Sequence, residues 1–167
     1  MATAPQLVSV EEYLHTTYRP DCDYIDGVVV ERNLGTFDHA SLQGLLVGLF
    51  FVHRKEWNVL GLPELRLKVR ERKYRIPDVM VLPLGKHPPV IEQAPLLCIE
   101  VVSPDDRVKD LTERAKDYLA LGVPETWIFD PETREAFVYS AAGLHSAPPV
   151  LQCGAITLSL AELWATD

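Results

Sequence analysis

The chain is poor in cysteine, poor in positive charge and free of long apolar runs, and each shortage removes a class of function. Its three cysteines, Cys22, Cys98 and Cys153, are odd in number and far apart. They form no C-x-x-C pair for zinc and no disulfide framework, and so small a number fits a reducing compartment. Lysine and arginine number 16 against 24 acidic residues, for a net charge of −8. Such a balance argues against broad, non-specific coating of nucleic acid, while leaving room for a local basic surface. No apolar stretch approaches the ~20 residues that span a bilayer. The opening Met1-Ala2-Thr3-Ala4-Pro5 has no basic flank and no apolar core of a signal peptide, so no membrane partner is expected and the cytoplasm is the expected location. No Gly-rich phosphate loop and no Ser, His or Cys nucleophile arrangement is evident.

What remains is a 167-residue chain that is 47% apolar, enough for one globular domain with a real core. Ser9-Val10-Glu11-Glu12 reads as a capping box that opens a short helix. Tyr24 to Val30 is a hairpin turning on Asp26-Gly27. A helix is predicted from about Ala40 to His53, with Leu42, Leu45, Leu46, Leu49 and Phe50 at helical spacing. Gly44 and Gly48 on it would let another backbone approach closely. A strand is predicted from Glu64 to Val69, then a turn at Arg72-Lys73 into an apolar strand around Val79. Residues 83–95 hold four prolines and read as a loop. Leu96 to Val102 is a second apolar strand. Ser103-Pro104-Asp105-Asp106 predicts a helix start, with Ser as N-cap and Pro at the first position, and Gly122 predicts its end. Thr126 to Phe129 is a further buried strand, 136–139 an edge hairpin, and the chain closes with a strand near Ile156 and a helix at 160–164. The order predicts a mixed α/β architecture.

Two residues break this apolar pattern. Asp78 interrupts Ile76 to Leu82, and Glu100 interrupts Leu96 to Val102. An ionised carboxylate in an apolar strand is costly unless paired or bound to a metal. Twenty-two residues apart on consecutive strands, the two could converge on one divalent cation. Magnesium is held by one or two carboxylates plus waters and phosphate oxygens, and the pair supplies that minimum for metal-assisted phosphodiester hydrolysis. A cation to steady the developing charge would come from the helix after Glu100. On it, Arg114 and Arg107 border the apolar stripe of Val108, Leu111, Ala115, Tyr118 and Leu119 at about 60–80°, while Lys116 lies about 120° away and should face water. His39 could position a water, metal or phosphate at the start of the long helix. Six of the ten residues from Arg66 to Arg75 are basic. They read either as a phosphate-contacting face or as a solvated edge that deters aggregation.

Several stretches in this order resemble the Uma-two family, described as "putative restriction endonucleases", in the PD-(D/E)XK nuclease superfamily. They are Tyr24 to Gly27, Asp38-His39, Arg75 to Val79, Ile99 to Pro104, Tyr118 to Val123 and Trp127 to Pro131. The resemblance runs over about residues 8–165. It implies an α/β restriction-endonuclease-like mixed sheet flanked by helices, with an N-terminal hairpin and C-terminal hairpin additions. It further implies one nuclease-like domain over 1–167 with a core at about 38–130. By the same resemblance Asp78 and Glu100 bind Mg2+ (or Mn2+), the substrate is a nucleic acid, in the first instance DNA, and a homodimer is expected. The superfamily's lysine, two residues after the Glu, is Val102 here. In this family a lysine four before the Tyr takes its place, and that position is Arg114. Arginine keeps the charge but is never a proton donor or base. The alternative is therefore a catalytically inactive nuclease-fold module that binds nucleic acid or regulates. A blander one is a structural dimer whose buried carboxylates pair with arginines.

Overall fold

The computed structural model describes residues 7–33 and 35–165. In chain order the elements are α1 (Val10–His15), β1 (Asp23–Ile25), β2 (Val28–Val30), α2 (Phe37–His53), β3 (Val59–Pro63), β4 (Leu67–Arg70), β5 (Lys73–Arg75) and β6 (Val79–Pro83). They continue with β7 (Leu97–Val101), α3 (Val108–Leu121), β8 (Thr126–Asp130), β9 (Glu135–Ser140), β10 (Gly143–Ser146), β11 (Val150–Cys153), β12 (Ile156–Ser159) and α4 (Leu160–Trp164).

Six strands form the central sheet in the order β10-β9-β8-β7-β6-β3, and β2-β1-β5-β4 form a second sheet. Within the central sheet only β7 and β8 run parallel, and α3 is the crossover between them. Because side chains alternate across a strand, each strand feeds two cores. Val79 and Val81 of β6, with Ile99 and Val101 of β7, pack under Leu42, Leu46 and Phe50 of α2. Met80, Leu82 and Cys98 face the other way, onto Leu67, Val69, Tyr118 and Val123. Glu100 shares that second face with Cys98. The last ladder pair is Val79↔Ile99, and the same register carried one residue further sets Asp78 opposite Glu100. The two residues thus stand opposite each other at the end of adjacent strands. No described helix is long and apolar enough to cross a membrane.

Local signals hold in several places. The Ser9 hydroxyl accepts the Glu12 N–H at 3.0 Å. Asp26 and Gly27 adopt φ of +51° and +98°, as a tight hairpin turn requires. Gly122 ends α3 in the left-handed region at φ +113°.

Four expectations are corrected. The long helix starts at Phe37, capped by Thr36, so His39 lies in its first turn rather than before it. Nothing lies within 4 Å of where a Cβ would stand on Gly44 or Gly48. The close approach is at Gly61 of β3, where a Cβ would stand 2.5 Å from Phe50 Cβ; α2 can pack on β3 there only because that side chain is missing. The strand placed at 64–69 is β4, which starts only at Leu67; a separate, unforeseen strand, β3, ends at Pro63, and Glu64 between the two adopts φ +53°. Finally, Ser103-Pro104 does not open α3. Asp106 draws Ser103 into a turn instead, its Oδ2 accepting the Ser103 N–H at 2.8 Å, and the helix begins at Val108 with Arg107 as an uncapped N-cap. Val108 is consequently 69% exposed and leaves the stripe assigned to it.

Candidate active site

Asp78 is buried, and nearly every oxygen lone pair it offers is used. Oδ1 accepts from Arg32 Nη2 at 2.5 Å. Oδ2 accepts the Val101 N–H at 2.7 Å and stands 3.3 Å from His39 Nε2. Its backbone carbonyl accepts from Gln43 Nε2 at 2.8 Å. Burial works to raise the Asp78 pKa, but the His39 hydrogen bond, the Arg32 charge and the Val101 N–H together hold it below the ordinary carboxylate value. The same pairing raises His39 above an ordinary imidazole, against the effect of its burial.

Glu100 has fewer hydrogen bonds. It is 0% exposed. Oε1 accepts from the Tyr118 hydroxyl at 2.6 Å. Oε2 has Arg114 Nε at 3.5 Å, and both atoms are buried without a hydrogen-bond partner. This is a contact between charges whose geometry makes no hydrogen bond. Burial dominates and pushes the Glu100 pKa up to about 7; the Arg114 charge pulls it down and the Asp78 charge adds to the rise.

Arg114 reaches this point from the first half of α3, half-buried, while Lys116 is exposed, as the angular argument predicts. Its Nη2 donates to Asp106 Oδ1 at 2.8 Å, so the turn that displaced the helix start also aims the guanidinium. Asn33 Nδ2 donates to the same Asp106 oxygen at 3.2 Å. Arg107 is exposed and takes no part in the cleft.

These groups line a cleft of about 170 Å3, whose walls include Arg32, His39, Glu64, Asp78, Asp106 and Arg114. Glu100 lies behind that surface rather than on it. Four contributors escaped the sequence argument: Arg32, Gln43, Glu64 and Asp106. Arg32 arrives across 46 residues and Gln43 across 35, so no local spacing announces them. Asp106 was legible only as part of a helix cap, which is not the role it takes. Glu64 carried a weak signal, an acid directly after a strand-ending proline.

Five of the six basic residues from Arg66 to Arg75 pair with acids within the fold. Arg66 forks onto Asp21 and the carbonyls of Tyr13 and Thr16. Lys68 meets Glu71 and Glu92, Arg70 meets Asp26, and Lys73 and Arg75 share Asp117. These pairs tie the second sheet to its own turns, to the neighbouring loops and to α3.

Among the described residues, no group of three or more His, Cys, Asp or Glu side chains has the arrangement of a metal cluster. The fit of a cation therefore rests on two carboxylates. Hard oxygen donors of this kind suit magnesium. The buried Glu100 Oε2, which accepts no hydrogen bond, is an acceptor that a cation would satisfy. Asp78 also fits, once the guanidinium on its Oδ1 is set aside.

A mixed sheet with carboxylates at the ends of adjacent strands, and a cation on the following helix, defines a restriction-endonuclease-like nuclease fold. The model of the Uma2 family, described as "Putative restriction endonuclease", matches residues 10–164, and the chain belongs to that family. A crystal structure described as "a putative nuclease belonging to DUF820", from Anabaena variabilis ATCC 29413, is similar in fold, with a TM-score of 0.81. It is 21% identical and the match covers 95% of this chain and 98% of that one. No curated protein matches the chain.

Proposed function

We propose that this protein is a magnesium-dependent endonuclease that hydrolyses phosphodiester bonds in DNA, with Mn2+ able to serve in place of Mg2+. The observation that carries the reading is Glu100 Oε2, a fully buried carboxylate oxygen without a hydrogen bond, on the same sheet face as Asp78. Evolved interiors rarely keep such an atom without a use. Asp78 and Glu100 would hold the metal, which when bound supplies a Lewis acid and an activated water.

The chain's own residues do the rest. Tyr118 fixes the Glu100 carboxylate by its hydrogen bond to Oε1. Arg114 sets a permanent positive charge at the cleft wall, aimed by Asp106, and stabilises negative charge that develops on the phosphoryl oxygens. As an arginine it moves no proton. His39, held against Asp78, orients groups at the N-terminal end of α2 and is a side chain able to exchange a proton near neutral pH.

A homodimer belongs to the same proposal. On α2, Phe37, Gly44, Gly48 and Phe51 fall within about 40° of one direction, and Phe37 is 84% exposed. This exposed stripe supports a second copy as partner. The cytoplasm stays the proposed location.

One observation favours the second reading, a catalytically inactive nuclease-fold module that binds nucleic acid or regulates. Both carboxylates already face arginines, Asp78 with Arg32 and Glu100 with Arg114. The deciding experiment is nicking of supercoiled plasmid DNA with Mg2+ or Mn2+, wild type against Asp78→Ala. Metal-dependent nicking lost in the variant supports the enzyme. Binding of DNA without turnover supports the module.

A further inference from the structure

We propose that Arg32 competes with the divalent cation for Asp78, so that loading of the metal requires the guanidinium to move aside onto Glu64. The proposal rests on the two-carboxylate metal reading given above and adds to it a residue that sets metal affinity.

The geometry narrows the choice to Arg32. Asp78 Oδ2 is committed to the Val101 N–H, a backbone donor fixed by β7, and to His39 on α2. Oδ1 is the other oxygen, and its partner is the Arg32 side chain at 2.5 Å. A carboxylate oxygen shared with a guanidinium in this way has little left for a second cation. Arg32 stands two residues after the end of β2 and lines the cleft. Its charge is already that of a bound cation: the Asp78 and Glu100 charges raise its pKa against the effect of burial.

A second anchor stands ready. Arg32 Nη1 is 3.9 Å from Glu64 Oε1, and the Glu64 side chain is 50% exposed. That distance is too long for a hydrogen bond and short enough that a small rotation closes it. Glu64 keeps this place through a left-handed backbone at φ +53°, a conformation uncommon for a residue with a side chain, and one found preferentially at functional sites. Both walls of the cleft therefore offer the guanidinium a carboxylate, one buried and one exposed. Moving between them exchanges an arginine–Asp78 pair for an arginine–Glu64 pair and frees Oδ1.

Two substitutions then act in opposite directions on one readout. Mn2+ is titrated calorimetrically into wild type, Arg32→Gln, Glu64→Gln and Asp78→Asn, with the melting temperature of each recorded with and without Mn2+. Arg32→Gln should bind Mn2+ more tightly, by about 5- to 150-fold, the usual range of coupling between two ligands. Glu64→Gln should bind it more weakly, because the displaced guanidinium has lost its second carboxylate. Mn2+ should also raise the melting temperature of Arg32→Gln more than that of wild type, since the metal then replaces the arginine charge that the buried Asp78 has lost. If Arg32→Gln does not fold, Arg32→Lys keeps the charge without the planar fork and should shift affinity the same way, by less. Unchanged or weaker Mn2+ binding in the Arg32 variant, with binding abolished in Asp78→Asn, overturns the competition and leaves the metal site intact. No Mn2+ binding in wild type or in any variant overturns the metal site itself, and the competition with it.

Discussion

The Tyr118 hydroxyl donates to Glu100 Oε1 at 2.6 Å, and both residues are fully buried. Four residues earlier on the same helix, Arg114 brings its Nε to 3.5 Å from the other oxygen. Successive turns of α3 therefore address the two oxygens of one carboxylate, the first by charge and the second by a hydrogen bond. This follows from helical spacing, which places residues four apart on one face. It explains how a carboxylate in the interior of the fold is held in a single orientation.

Tyr118→Phe should lower stability by about 1–3 kcal/mol, the cost of leaving a buried acceptor unsatisfied. Urea unfolding followed by circular dichroism would measure it. An unchanged midpoint would mean that the hydroxyl contributes nothing to the placement of Glu100.

Arg114→Lys should keep much of the nicking activity and Arg114→Ala should lose most of it. Removing one preorganised charge beside a developing oxyanion costs about 2.7–4 kcal/mol, a hundredfold or more in rate. Equal activity in wild type and Arg114→Ala would remove Arg114 from the chemistry.

Stability should fall as pH rises towards neutrality. Glu100 titrates at about 7 in the folded protein against an ordinary 4.5, so between these values the folded state binds more protons than the unfolded one. Its contribution is complete below the unfolded value and lost as pH rises through 7. His39, raised above its ordinary 6.5, acts in the same sense above that value. Asp78 acts oppositely and only in acid: its contribution is present above 3.8 and lost as pH falls through the lower folded value. Urea midpoints should decline from about pH 5 to above pH 7, and Glu100→Gln should flatten the decline. A wild type that gains stability over this window would contradict the assignment.

Gly61→Ala should destabilise by about 1–3 kcal/mol, because its methyl would stand 2.5 Å from Phe50 Cβ and push α2 off β3. Gly48→Ala, in the interior of α2 with open space around it, should instead stabilise the isolated fold by about 0.5–1 kcal/mol. Thermal melts of the two variants side by side check both signs.

The elements with strong local codes were legible in the sequence: the Ser9 cap, the Asp26-Gly27 turn, the Gly122 stop and the apolar runs of β6, β7 and β8. The placement of Asp78 and Glu100 was legible for the opposite reason, as two charges in segments that otherwise bury everything. Arg32 was not, because its partner lies 46 residues away and nothing in Val30-Glu31-Arg32-Asn33 distinguishes it from a surface arginine. The Ser103-Pro104 signal misled because capping competes with tertiary demand. Asp106 is claimed by Arg114, Asn33 and the Ser103 N–H at once, and these contacts fold the would-be first turn into the wall of the cleft. The basic stretch left two readings open, because composition records charge but not the acidic partners that the fold brings to it.

The central claim is that Asp78 and Glu100 make this fold a metal-dependent nuclease, and plasmid nicking tests it most directly. Supercoiled DNA is incubated with purified wild type, Asp78→Ala and Glu100→Gln in Mg2+, in Mn2+ and in EDTA. The account predicts conversion to open-circular or linear DNA by wild type with either metal, none in EDTA, and loss in both variants. Wild-type protein that leaves supercoiled and single-stranded DNA intact with both metals would contradict it.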